Sequence, residues 1–294
     1  MTQQSLLVPR IERQEPSMDS LKPADVVAAM IQAGITKSQL SPGQLLLRGA
    51  LSGALLGVAT SMAFGAALQT GQPLVGSLIF PAGFVMIVIL GLELVTGSFA
   101  LVPLALIRGR IGFGGLIANW SWVFIGNLIG SLCYGALLTI ALTDAGMVAP
   151  AGVAQRIIDT ANAKTLAYAQ FGGAGMLTVF VKGMLCNWLV CLGVVMAMTT
   201  TSVGGRILAA WLPILVFFSQ GFEHSVVNMF VIPTAMMMGA KISFVQWWVW
   251  NQIPVTLGNI VGGFLFTGLA LYLSYGKLTP AAQPAPAGPN AYGP

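Results

Sequence analysis

The chain repeatedly runs for the thickness of a bilayer with almost no charge. Residues 44–68, 75–107, 116–142, 171–198, 206–238 and 245–272 each carry at most two of Asp, Glu, Lys and Arg. A hydrocarbon core about 30 Å thick takes roughly 20 apolar residues of helix to cross. Backbone in that core must satisfy its own hydrogen bonds, which a helix does within one segment. The sequence therefore predicts an all-α integral membrane protein with six transmembrane helices.

Composition agrees. The chain is 56% hydrophobic and 7% charged, where a soluble domain carries about 25% charge. The net charge of +5 reads as a topology signal, because the basic residues flank the spans; no nucleic-acid partner is indicated. The 36 glycines suit close helix packing in lipid. Cys133, Cys186 and Cys191 lie in apolar segments and read as small buried side chains, not a disulfide framework.

In chain order, residues 1–20 are polar and lack an apolar core, so they are expected to be a disordered cytoplasmic tail and not a cleaved signal peptide. Residues 21–40 hold a short amphipathic helix from Pro23 to Ala33, with Val26, Val27, Met30 and Ile31 as its apolar stripe and Gly34 as its stop. It is too short to span and is expected to lie on the membrane surface. Residues 41–277 form the six-span transport domain, in which the second and fifth spans are interrupted at Gly91–Gly97 and Gly221–Asn228. The longest polar loop runs from Thr143 to Ala169, and residues 278–294 are a tail rich in Pro, Ala and Gly, expected to be disordered. Arg10, Arg13, Lys22, Lys37, Arg48, Arg108, Arg110, Arg206 and Lys277 fall on the N-terminal side of this topology. The positive-inside rule then puts both termini in the cytoplasm, with the protein in the inner membrane.

The two halves repeat. Gly91-Leu92-Glu93 matches Gly221-Phe222-Glu223, and Asn119-x7-Asn127-x2-Gly130 matches Asn251-x7-Asn259-x2-Gly262. Arg48-Gly49 and Lys182-Gly183 open the first span of each half. Three spans per half give an inverted 3+3 repeat, about 44–142 and 171–275, with an aquaporin-like pair of broken spans. Glycine-interrupted spans at matching positions of an inverted repeat point to a transport site.

The second break carries the only histidine, His224, beside Glu223, with Asn228 four residues on. Ionisable groups at membrane depth cost about 2.5–3.5 kcal/mol each on insertion scales and are functional candidates by default. An imidazole near its unperturbed pKa of about 6.5 can hydrogen-bond an anion or exchange a proton with one. One histidine without neighbouring ligands makes a poor metal site, and no metal or cofactor is expected. Glu93 and Glu223 are expected to accept hydrogen bonds from the N–H groups exposed at the breaks. Asn127 and Asn259 either bond the breaks or line the pore, and Asn187 and Asn228 are candidates of the same kind. Thr96, on the first break, is the hydroxyl partner expected for the histidine. There is no Walker, GxSxG or HExxH motif, so an enzyme is not expected.

These motifs also carry a resemblance. Gly221-Phe222-Glu223-His224-Ser225-Val226-Val227-Asn228-Met229-Phe230, Gly91-Leu92-Glu93-Leu94-Val95-Thr96-Gly97, Leu185-Cys186-Asn187-Trp188-Leu189-Val190-Cys191-Leu192 and Ile253-Pro254-Val255-Thr256-Leu257-Gly258-Asn259 resemble the signatures of the formate/nitrite transporter family. The resemblance runs from about Lys22 to Lys277. It implies a homopentamer with a pore in each protomer for small monovalent anions such as formate, nitrite or hydrosulfide. It makes His224 the central pore histidine and Thr96 its partner. It places Phe217 and Leu94 at the outer constriction with Asn259 close by, and Phe80 and Phe84 at the inner one. Asn187, Glu223 and Asn228 match polar residues around the vestibule and break. Lys164 matches the vestibule lysine, with Lys182 its competitor. Val95 stands where the family often has phenylalanine, which implies a wider constriction.

The reading is a channel or carrier for small weak-acid anions, formate or nitrite first, with hydrosulfide or a short carboxylate as alternatives. A neutral-solute channel of the aquaporin type is the rival class, although Asn-Pro-Ala repeats are absent.

Overall fold

The computed structural model describes residues 20–276. The two expected tails, residues 1–20 and 278–294, lie outside these apart from Ser20. Among the described residues the secondary structure is entirely helical: α1 Pro23–Ser38, α2 Pro42–Thr70, α3 Pro73–Ile79, α4 Pro81–Ile89, α5 Val95–Ile107, α6 Phe113–Leu142, α7 Val153–Lys164, α8 Leu166–Gln170, α9 Gly172–Ala197, α10 Val203–Ser219, α11 Ser225–Met237, α12 Phe244–Trp247, α13 Ile253–Val261 and α14 Ala270–Tyr275. Two π-helical segments, Trp248–Gln252 and Gly262–Leu269, join α12, α13 and α14 into one continuous rod. Four helices, α2, α6, α9 and the 32-residue rod Phe244–Tyr275, are long and apolar enough to cross a bilayer. The half-helix series α3–α4–α5 and α10–α11 supply the two broken spans.

Each break is built the same way. Gly91 and Gly221 adopt left-handed backbone, with φ of 61° and 65°. Leu92 N–H closes back on Ile87 O at 3.0 Å, and Phe222 N–H on Phe217 O at 3.4 Å. This is the six-to-one bond that ends a helix on a glycine. Leu94 and His224 are then extended, at φ −118° and −109°, before α5 and α11 begin. α5 and α11 have 13 residues each, with Pro103 and Pro233 at the same position in each. At 1.5 Å per residue each is about 20 Å long, too short to cross alone.

Glycine brings the long helices together. A Cβ on Gly130 would lie 1.7 Å from Ala50 O, and one on Gly262 would lie 2.1 Å from Met184 O. Backbones that close leave no room for a side chain, so α2–α6 and α9–α13 are the matching helix pairs of the two halves.

Two expectations for the N-terminal segment are corrected. Gly34 does not stop α1, which continues to Ser38. Instead a Cβ there would fall 2.3 Å from Leu101 O, so Gly34 is the point where α1 lies flat on α5. The apolar stripe is not spread on the membrane surface: Val26, Val27, Met30 and Ile31 are buried with Leu101, Leu104 and Val195. The polar loop after α6 also folds into a helix. Ala154, Ile157 and Ala161 of α7 are fully buried, and α7 packs on α11 as α1 packs on α5. The inverted repeat therefore has four parts per half, with α1 capping one end of the molecule and α7 the other.

Candidate functional site

His224 is the N-cap of α11. Its Nδ1 accepts the Val227 N–H at 3.2 Å, and its Nε2 lies 3.1 Å from Thr96 Oγ1 on the other break. An Nδ1 that accepts leaves the neutral ring's proton on Nε2, pointing at Thr96. Both residues are buried, at 2% and 0% exposure. The Thr96 carbonyl is held by Asn187 Nδ2 at 3.0 Å and by Cys191 Sγ at 3.3 Å, and Asn187 Nδ2 also reaches Asn259 O at 2.6 Å.

Aromatic rings wall one side of the pair. Phe217 stacks on His224 at 5.8 Å between centroids, Phe80 meets Phe217 edge-on at 5.7 Å, and Phe80 stacks on Phe218 at 4.0 Å. On the α1 side lies a cavity of about 440 Å³, lined among others by Lys37, Arg48, Phe84, Glu93, Leu94 and Arg206. This regroups the four constriction residues. Phe80 and Phe217 were assigned to different constrictions but touch each other. Leu94 and Phe84, also assigned apart, share the α1-side cavity. Val95 is not in the lining of that cavity; as the first residue of α5 it lines a separate groove with Phe99, Trp120 and Thr256.

The glutamates do not cap the breaks. The asparagines do. Val95 N–H donates to Asn127 Oδ1 at 3.0 Å, and Ser225 N–H donates to Asn259 Oδ1 at 2.9 Å. Asn127 Nδ2 donates to Gly49 O and Glu93 O, each at 2.9 Å. Asn259 Nδ2 donates to Gly183 O at 2.8 Å and Glu223 O at 3.0 Å. An amide offers two donors and one acceptor group, so Asn259 is committed to the break and has no hydrogen left for a pore. Ser52 Oγ adds a further bond to Glu93 O.

The carboxylates instead take lysines. Lys37 Nζ is 2.8 Å from Glu93 Oε2, and Lys164 Nζ is 2.9 Å from Glu223 Oε2. Each lysine lies in the last turn of its capping helix, and each backbone carbonyl accepts an asparagine: Asn119 Nδ2 on Lys37 O at 2.9 Å, Asn251 Nδ2 on Lys164 O at 2.8 Å. Glu223 also accepts Tyr168 OH at 2.9 Å and Asn228 Nδ2 at 2.8 Å. Burial, and then the Glu223 charge, push the Tyr168 hydroxyl far above its usual range, so it remains a donor. Lys182 does not reach Glu223 with its ammonium; it donates to Tyr168 OH at 3.2 Å. Its backbone carbonyl accepts the Glu223 N–H at 3.4 Å.

Sequence reasoning missed Lys37, Tyr168, Asn119 and Asn251 as members of this site. Asn119 and Asn251 stood in the repeat and signalled themselves. Lys37 and Tyr168 had no motif around them. Among the described residues no group of three or more His, Cys, Asp or Glu could hold a metal ion.

Comparison with known proteins gives the family. The family model described as formate/nitrite transporter matches residues 24–273. The chain is 35% identical over 272 residues to the "Probable formate transporter" of Methanothermobacter thermautotrophicus, covering 87% of this chain and 97% of that one. A solved structure titled "FNT family ion channel" superposes with a TM-score of 0.72 at 27% identity, over 85% of this chain and 98% of that one. Another, "Pentameric formate channel with formate bound", gives 0.63 at 28% identity, over 80% and 97%. A match that spans both broken spans, both capping helices and all four long helices leaves one conclusion: the chain belongs to the formate/nitrite transporter family.

Proposed function

We propose that this protein is a pore for small monovalent weak-acid anions, formate first, that moves its cargo without transforming it. The carrying observation is the His224 Nε2–Thr96 Oγ1 pair at 3.1 Å, where the two breaks meet inside one chain. Relatives named for formate support the substrate class. The pentameric title of one structural neighbour supports a homopentamer with one pore per protomer. Excess basic residues on the N-terminal side support insertion in the inner membrane with both termini cytoplasmic.

Arg48 and Arg206 line the α1-side cavity and, among the described residues, neither pairs with a carboxylate. They draw the anion in. Beyond them Leu94 on one side and the Phe80–Phe217 cluster on the other strip its water, which is costly for a charge. His224 meets the anion with its Nε2–H. The neutral ring cannot give that proton away unless another reaches Nδ1, which is engaged as the α11 cap. Protonation to the neutral acid therefore takes a proton delivered to the ring or one supplied through water. In the rival mechanism the anion passes His224 with hydrogen bonding alone.

The test is formate and nitrite uptake into proteoliposomes at several pH values, with wild-type protein and His224→Phe. Uptake above that of empty liposomes, with a pH dependence that His224→Phe flattens, is expected. Flux equal with and without protein would end the anion-pore reading. Flux independent of pH in both proteins would remove proton transfer and leave permeation. Glycerol passing in place of the anions would favour a neutral-solute channel.

A further inference from the structure

The two lysine–glutamate clamps are built alike but filled differently. In the α7-side clamp, Asn228 Nδ2 bridges Glu223 Oε2 at 2.8 Å and Asn251 Oδ1 at 2.9 Å. The counterpart of Asn228, seven residues after the break glycine in each half, is Ser98. Asn119 holds the Lys37 carbonyl through Nδ2 as Asn251 holds that of Lys164. By the repeat its Oδ1 is the counterpart of Asn251 Oδ1, which accepts the bridging amide in the other half. Ser98 Oγ and Asn119 Oδ1 are both buried, and neither has a hydrogen-bond partner among the described residues; in the α7-side clamp Asn228 Oδ1 alone is left so. Ser98 is 0% and Asn119 1% exposed. Among the described residues the Glu93 carboxylate accepts from the Lys37 side chain alone.

Buried polar atoms are seldom left without partners, and the exceptions ask for a bound group. By the repeat, the Glu93 carboxylate, Asn119 Oδ1 and Ser98 Oγ take the positions that the Glu223 carboxylate, Asn251 Oδ1 and the Asn228 side chain hold in the other half. The ligand must offer donors to Glu93 and to Asn119 Oδ1, can accept from the Ser98 hydroxyl or donate to it, and must be neutral, since Lys37 already balances Glu93. Formate has no donor and is excluded. We propose that the α1-side clamp contains a buried water site: one water donates to Glu93 and to Asn119 Oδ1 and accepts from Ser98 Oγ. A site of this kind needs room for about 30 Å³ and two to four polar partners; exchanging an asparagine for a serine frees space of that order. The inference rests on the hydrogen-bond inventory and not on the transport reading.

The experiment is a cryo-EM or crystal map of the purified protein at a resolution that shows waters, for wild type and Ser98→Asn, with melting curves of both. The wild-type map is expected to show a solvent peak within hydrogen-bond distance of all three groups. In Ser98→Asn the peak gives way to the amide, and Tm rises by about 2–4 °C because a fixed bridge replaces an ordered water. A wild-type map without the peak, or with the Asn119 amide turned to another partner, overturns the site. So does a Ser98→Asn protein that folds with the peak still in place. If Ser98→Asn fails to fold, Ser98→Ala decides: the peak must persist on Glu93 and Asn119, and its loss of position on those two overturns the proposal.

Discussion

Lys164 illustrates how much one side chain can settle. Its side chain is 16% exposed and its partner Glu223 only 2%. Removing one member of a buried pair leaves an uncompensated charge and costs about 3–5 kcal/mol, whereas removing both can be nearly neutral. Lys164→Met should therefore lower stability by about that amount, and adding Glu223→Gln should return most of it. Lys182→Met, which removes an ammonium that meets the Tyr168 hydroxyl and ring and, among the described residues, pairs with no carboxylate, should cost far less. Thermal melts of the three variants in detergent read this directly; equal losses for Lys164→Met and Lys182→Met would sink the assignment of Lys164 to the clamp. At this scale the sequence exposed the pieces unevenly. His224 was visible as the only histidine, set in an apolar run, and Thr96 through the repeat. Glu93 and Glu223 were visible as residues but misread in role. The capping amides sit 32 and 34 positions away from the N–H groups they hold, and nothing in local sequence says which polar group will arrive there.

At the scale of elements, glycine does two jobs that look the same in sequence. Gly91 ends a helix with a positive φ, while Gly34 sits inside one and admits a neighbour's backbone. That is why the breaks were legible, being followed by Glu and a new apolar run, and the length of α1 was not. α7 escaped for a different reason. Its buried face is Ala154, Ile157 and Ala161, small residues in a polar loop that give no long apolar signal. The close approach at Gly34 makes a sharp prediction. Gly34→Val places a Cβ within 2.3 Å of Leu101 O, a backbone atom that cannot move without shifting α5. Overpacking of this sort costs roughly 1–3 kcal/mol, and here it should release α1 selectively. Amide hydrogen exchange should speed up across residues 23–38 and remain unchanged across α7. Unaltered exchange in α1 would show that its seat on α5 tolerates a side chain.

At the scale of the whole molecule, the inverted repeat explains how one chain brings both breaks into contact. The first break supplies Thr96 and the second His224, 128 residues apart in sequence and in contact within a single fold. The outer surface is of another kind: Leu137, Leu208, Leu212 and Leu257 are each more than half exposed, as suits contact with lipid or with other protomers. If the proposed pore passes this pair in each subunit, a histidine and threonine from one chain make the pores of a homopentamer work independently. Wild-type and His224→Phe subunits, tagged differently and co-expressed, can be purified as mixed assemblies of known ratio. For independent pores, the pH profile of formate flux in a mixture is the weighted sum of the two pure profiles, linear in the wild-type fraction. For a pore shared between subunits, mixed assemblies add a third component and the dependence curves away from a line, because each altered subunit changes every path. The geometry at His224 and Thr96 calls for the straight line.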